Sequence, residues 1–112
     1  MQYRLLTLDI DGTLRPSGER VVPQQNVEAV RAVQRAGVKV AIATGRCRMG
    51  IPDKMLGRIR PDYWICAAGA QVLDAAGTAL STRTMTNEQM YALVDFFEDY
   101  DYLLGFSFDD GP

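Results

Sequence analysis

Hydrophobic and polar positions along this chain change rhythm repeatedly, from short continuous apolar runs to helical spacing and back. Leu5 to Leu8 is the first apolar run, inside a predicted strand from Tyr3 to Asp9. A run without polar alternation reads as a central strand of a parallel sheet, covered on both faces. Pro16, Ser17 and Gly18 mark a loop. Pro23 suits the first turn of a helix running to Ala36, in which Val27, Val30 and Val33 recur on one side and Gly37 supplies the stop. Val38 to Ala43 is the second predicted strand, and Thr44-Gly45-Arg46 the turn after it. Met55, Leu56 and Ile59 predict a short helix from Pro52 to Ile59, interrupted by Gly57. Tyr63 to Ala67 reads as a third parallel strand. Gln71 to Asp74 and Thr78 to Thr82 read as a hairpin around Ala76-Gly77, with Asp74 closing its turn. Thr86 and Gln89 have the spacing of a capping box. Met90, Leu93, Val94 and Phe97 then predict an amphipathic helix from Asn87 to Tyr100, and Tyr102 to Phe108 is a last strand-like run.

Strand and helix periods in alternation indicate an α/β fold, a partial Rossmann-like core with parallel strands and a β-hairpin. The 112 residues suffice for one small domain. Composition narrows the function by exclusion. A hydrophobic content of 47% and a formal charge of -2 are ordinary for a soluble protein, and no basic excess points to nucleic acid. No apolar stretch has the length of a membrane-spanning helix and the N-terminus lacks a signal-peptide core, so the sequence predicts a cytoplasmic protein. The chain contains no histidine, which removes Ser-His and Cys-His catalysis and imidazole metal sites together. Cys47 and Cys66 have no paired metal spacing. Cys66, within an apolar run, reads as a core residue, and Cys47 has no base beside it in sequence.

Candidate chemistry lies at the strand tips. Asp9-Ile10-Asp11-Gly12-Thr13 ends the first apolar run, so two carboxylates emerge where a strand meets a loop. Ligands of open α/β sheets bind beyond the carboxyl ends of such strands. The bland alternative is a hairpin turn at Asp11-Gly12. Consecutive strands usually lie adjacent, so the Asp9 tip and the Thr44 tip should face one crevice. Thr44 offers a hydroxyl, Gly45 permits close backbone approach, and the N–H groups of Gly45 and Arg46 suit a phosphate oxygen. Asp9 could attack phosphorus as a nucleophile while Asp11 serves as acid and base. Two carboxylates beside a dianionic phosphate call for a cation, and their oxygen ligands point to Mg²⁺. Arg46 and Arg48 could steer an anion, whereas Arg58 and Arg60 read as surface residues.

These residues resemble the N-terminal part of a haloacid dehalogenase superfamily phosphatase of the Cof-like type IIB group. The resemblance rests on Leu8-Asp9-Ile10-Asp11-Gly12-Thr13-Leu14, on Ala43-Thr44-Gly45-Arg46, on the stretch from Ile65 to Val72, and on Asp74. It implies Asp9 as nucleophile and Mg²⁺ ligand, and Asp11 as acid/base with its main-chain carbonyl on the metal. Gly12, Thr44, Gly45 and Arg46 become the phosphate-binding candidates, with Arg46 and the Gly69 turn lining the entrance. It also implies a small phosphorylated metabolite of the sugar phosphate class as substrate. The group's usual Asn is Ala68 here.

The resemblance further expects a lysine and a second acidic pair that this sequence does not clearly supply. Its two lysines are Lys39, at the wrong end of strand two, and Lys54, which reads as a solvated residue. Asp109-Asp110 could mimic the acidic pair, although the group places the start of an inserted cap there. The expected organisation is residues 1–84 as the N-terminal part of the core and 85–112 as the truncated opening of a cap. An incomplete fragment that binds phosphate or metal without turnover is the second reading. A receiver domain is the third, but it needs an aspartate ending strand three, where Ile65, Cys66 and Ala67 stand. With strand order 3-2-1 and nothing beyond strand one, an open apolar edge would favour self-association through Leu5, Leu6 and Leu8.

Overall fold

The computed structural model describes residues 2–108, so Asp109 and Asp110 lie outside the described residues. One five-stranded sheet organises the chain: β1 (Leu5–Leu8), β2 (Lys39–Ala43), β3 (Tyr63–Cys66), β4 (Gln71–Asp74) and β5 (Ala79–Thr82), in that spatial order. β1, β2 and β3 are parallel, and β4 and β5 are antiparallel additions. Helix α1 (Gln24–Arg35) joins β1 to β2, and helix α2 (Asn87–Phe97) follows the hairpin.

Register explains where the core sits. Leu6 pairs with Val40, Leu8 with Ile42, Ile42 with Trp64, and Trp64 with Leu73, so these side chains share one face. On that face Val27 and Val30 of α1 pack with Ile51, Met55, Leu56 and Ile59 into one cluster with Ile42, Trp64 and Cys66. Each fully buried aliphatic side chain contributes about 1.5–3 kcal/mol relative to exposure. Asn26 fastens α1 to the first turn by donating from Nδ2 to the Leu14 carbonyl at 2.9 Å.

Four expectations change. β1 lies at the open edge that the order 3-2-1 predicts, but it is not covered on both faces. Leu5, on the face opposite the core, is exposed, and Leu6 and Leu8 are only half-buried. The predicted helix from Pro52 to Ile59 is a chain of turns instead. Met55 N–H donates to the Pro52 carbonyl, Gly57 to Lys54 and Ile59 to Leu56, all three residues back, and Gly57 adopts φ +59°. No helical hydrogen-bond ladder propagates through such spacing, yet the three apolar side chains still reach the core. α2 stops at Phe97 rather than Tyr100 and buries no residue. Residues 101–107 form no strand, and Leu103 is fully exposed, because a strand needs a partner for its backbone groups.

Other expectations hold in detail. Thr86 Oγ1 accepts from Gln89 N–H at 3.1 Å while Gln89 Oε1 accepts from Thr86 N–H at 2.9 Å, which is the capping box. Asp74 Oδ1 accepts from Ala76 N–H at 3.0 Å and from Thr78 N–H at 2.9 Å, closing the β4–β5 turn. Among the described residues no helix is long and apolar enough to cross a membrane.

Candidate active site

Parallel pairing of Leu8 with Ile42 and of Ala43 with Ile65 sends the chain out of β1, β2 and β3 at the same sheet edge. Three turns follow there. The first, after β1, is closed by Gly12 N–H to the Arg15 carbonyl at 2.9 Å and by Arg15 N–H to the Ile10 carbonyl at 2.9 Å. Gly12 sits at φ +79°, a conformation that disfavours a side chain. The turn leads toward α1 and not into an antiparallel neighbour, so the hairpin reading of Asp11-Gly12 fails.

The second turn holds Thr44, the one buried polar residue among those described. Its hydroxyl oxygen accepts from Arg46 N–H at 3.1 Å, which leaves the hydroxyl proton to be donated. That bond also engages the Arg46 N–H that the sequence assigned to phosphate. The third turn is stapled to the second: Ala67 N–H donates to the Arg46 carbonyl at 2.8 Å and Ala68 N–H to the Thr44 carbonyl at 3.0 Å. To make those bonds Ala67 and Ala68 adopt φ of 50° and 54°, left-handed values for residues that carry a Cβ.

Asp11 is the electrostatic centre. Arg46 donates from Nε to Oδ2 at 2.9 Å and from Nη2 to Oδ1 at 3.1 Å, and its Nη1 donates to the Gly50 carbonyl at 2.8 Å. Arg15 Nη2 also donates to Asp11 Oδ1, and Arg15 Nη1 to the Glu19 carbonyl at 3.0 Å. The hydrogen bonds from Arg46 first, then those from Arg15, hold the Asp11 carboxyl down at about 2. In this arrangement Asp11 is ionised at neutral pH and has no proton to give. Asp9 is exposed, with Oδ1 accepting from Ile10 N–H at 2.9 Å.

The remaining candidates divide. Arg48 lies over the Trp64 ring at 4.1 Å and donates to the Ile51 carbonyl, so it faces the core side of the sheet. Cys66 is fully buried, and burial pushes its thiol up. Lys39 pairs with Asp62 at 3.8 Å at the start of β2, and Lys54 is exposed in the turns. Arg15 was not singled out by sequence. It stands four residues after Asp11, a spacing that signals an ion pair on a helix, and only the tightness of this turn brings the two together.

Asp9 and Asp11 are hard oxygen donors of the kind Mg²⁺ takes, and Mg²⁺ commonly uses one or two carboxylates together with substrate phosphate oxygens and water. The Asp9 carboxylate and the Asp11 main-chain carbonyl fit that pattern, the Asp11 carboxylate being taken by Arg46 and Arg15. No cluster of three or more His, Cys, Asp or Glu side chains is present among the described residues, so the acids alone do not form a closed metal cage. A cleft of about 420 Å³ adjoins the turns, bounded by Gly45, Cys47 and Ala68 on one side and by Met90 and Phe106 on the other.

The sequence pattern of the haloacid dehalogenase-like hydrolases matches residues 6–111. Phosphatase YwpJ of Bacillus subtilis (strain 168) is 28% identical over 100 residues, covering 88% of this chain and 34% of that protein. BT1666 from Bacteroides thetaiotaomicron superposes with a TM-score of 0.86 over 97% of this chain and 40% of its own, at 23% identity, a likeness of fold. The subclass IIB sugar phosphatase BT4131 superposes with a TM-score of 0.72 at 27% identity, over 85% of this chain and 37% of its own. The chain spans 22% to 38% of the length of five curated relatives.

Proposed function

This chain belongs to the haloacid dehalogenase-like hydrolase family, and we propose that it carries the nucleophile and phosphate-binding turns of a Mg²⁺-dependent phosphohydrolase. Its substrates are small phosphorylated metabolites of the sugar phosphate class, a reading supported by the likeness to the sugar phosphatase BT4131. One observation carries the proposal. The Asp9-to-Thr13 turn and the Thr44-to-Arg46 turn leave parallel neighbours at one sheet edge and are tied by the Arg46–Asp11 pair.

In the proposed reaction an Asp9 carboxylate oxygen attacks phosphorus and the bond to the leaving oxygen breaks. Asp11, which has to take up a proton after Arg46 turns from it to the phosphate, delivers that proton to the leaving oxygen, then takes one from water as the water displaces Asp9 and releases inorganic phosphate. The Thr44 hydroxyl and the Gly45 backbone hold non-bridging oxygens, and Arg46 pairs with the phosphate. Mg²⁺ would be held by the Asp9 carboxylate and the Asp11 main-chain carbonyl, and would supply charge neutralisation beside the phosphate. We assign residues 1–84 to the core and 85–112 to the opening of a cap. The cleft with walls from both parts supports that division.

A second reading, phosphate binding without turnover, is favoured by the lysines. Lys39 is paired at the far end of β2 and Lys54 is exposed among the turns, so neither stands beside Asp9 to stabilise a phosphorylated carboxylate. The test is Mg²⁺-dependent phosphate release from an aryl phosphate, beside Asp9→Asn. Hydrolysis abolished by Asp9→Asn supports the enzyme. Binding of inorganic phosphate without hydrolysis supports the second reading.

A further inference from the structure

The geometry points to an exchange latch: the phosphate group of the substrate takes Arg46 away from Asp11, while Arg15 keeps Asp11 in place. This inference rests on the phosphohydrolase reading above. In the resting arrangement every nitrogen of the Arg46 guanidinium is engaged, Nε and Nη2 on Asp11 and Nη1 on the Gly50 carbonyl. Three of its five N–H groups are taken and its Nε/Nη2 fork faces Asp11, so Arg46 cannot offer that fork to phosphate, nor Asp11 serve as acid, until their pair opens. The two arginines that hold Asp11 differ in origin. Arg15 belongs to the same turn, which its own backbone closes, and its Nη1 is anchored on the Glu19 carbonyl. Arg46 arrives from the tip of β2, two residues after the Thr44 hydroxyl, and so is the one of the two that belongs to the proposed phosphate turn.

A planar guanidinium fork matches phosphate as well as it matches carboxylate. A dianion seated against Thr44 and Gly45 thus competes for the same Nε/Nη2 pair, and the Gly50 anchor on Nη1 keeps the fork at the site during the exchange. Asp11 is not stranded by the loss, because Arg15 still compensates its charge. Arg46 is then a substrate-binding residue and Arg15 a positioning residue. The consequence is ordering: the acid is released only when a phosphate is in place.

Inorganic phosphate added to the ¹⁵N-labelled chain in the presence of Mg²⁺ tests the latch by NMR. The Arg46 Nε–H resonance should shift on binding while that of Arg15 stays. Asp11→Asn should bind phosphate about threefold to fivefold tighter, the competition from an exposed ion pair being lost. The double variant Asp11→Asn/Arg46→Met should show no such gain over Arg46→Met, because without Arg46 there is nothing to compete for. An equal gain in both backgrounds means simple charge repulsion and overturns the latch. Shifts at the Thr44 and Gly45 amides with Arg46 Nε–H unmoved overturn the latch and leave the hydrolase reading intact. No response at either place overturns both.

Discussion

Arg46 and Asp11 lie 35 positions apart in sequence and meet through two hydrogen bonds, Nε to Oδ2 at 2.9 Å and Nη2 to Oδ1 at 3.1 Å. The contact links the tips of β1 and β2 and ties the proposed acid to the phosphate turn. Its partners are 34% and 44% exposed, so it matters more for chemistry than for stability.

Arg46→Met should accordingly change the unfolding free energy by less than about 1 kcal/mol, the upper range for exposed pairs. The same substitution should weaken phosphate binding without abolishing it, since Thr44 and Gly45 remain. Denaturant unfolding and phosphate calorimetry on one protein preparation separate the two effects. A loss of stability much beyond that range would make the pair a structural element.

Asp62 shows the opposite balance. Its Oδ2 accepts from the N–H of fully buried Val40 at 2.8 Å, while Gln34 and Lys39 stand beside it. The bond from the Val40 amide leads in holding its carboxyl below the ordinary value. Stability from a lowered carboxyl is fully present above the unfolded pKa, about 3.9, and is lost as pH falls through the folded one. Asp62→Ala should cost about 1–3 kcal/mol at pH 7 by leaving a buried N–H without an acceptor. Asp62→Asn should cost less, and its gap to the wild type should close as the pH drops below 4. Acid-range unfolding curves for the three proteins check this.

The sheet and the strand tips were legible in the sequence because apolar runs, Asp-Gly, Thr-Gly and Ala-Gly punctuation are local signals. The capping box at Thr86 was legible for the same reason. The turns from 52 to 59 were not, since Met55, Leu56 and Ile59 satisfy a helical pattern whether or not hydrogen bonds follow it. Arg15 was invisible because its pairing with Asp11 depends on the curvature of the turn. The edge position of β1 was legible from the strand order, but the exposure of Leu5 was not, because an apolar run does not say which faces are covered.

Ala68 offers a stability gain. Its φ of 54° and ψ of 33° are left-handed, and the two backbone bonds to Thr44 and Arg46 hold the turn there. Ala68→Asn, a residue that tolerates this region, should stabilise the fold by about 0.5–1 kcal/mol. Thermal unfolding should report a higher midpoint. Equal or lower stability would mean that the turn relaxes in solution.

Helix α2 stands on local interactions, since it buries no residue and a short isolated helix is marginal in water. Thr86→Ala removes a cap worth about 1 kcal/mol. It should reduce helical circular dichroism and speed amide exchange in α2, while amides of α1 and the global unfolding midpoint stay the same. A lowered global midpoint would show that α2 is packed against the core more firmly than its exposure indicates.

β1 makes the last prediction. Its inner side is paired with β2 from Leu5 to Leu8, and among the described residues no strand pairs with its outer side, which leaves backbone groups open there. Leu6 and Leu8 are half-buried at that edge and Leu5 is 52% exposed on the opposite face, so apolar surface accompanies the open hydrogen-bonding row. An edge of this kind recruits another strand, and in a pure preparation the available strand is β1 of a second copy. Light scattering should therefore show concentration-dependent association. Leu5→Lys adds an edge charge where the side chain is already exposed, so it should shift the equilibrium toward monomer without lowering the unfolding midpoint. A wild-type chain that stays monomeric at high concentration would remove the case for a strand-to-strand contact at β1.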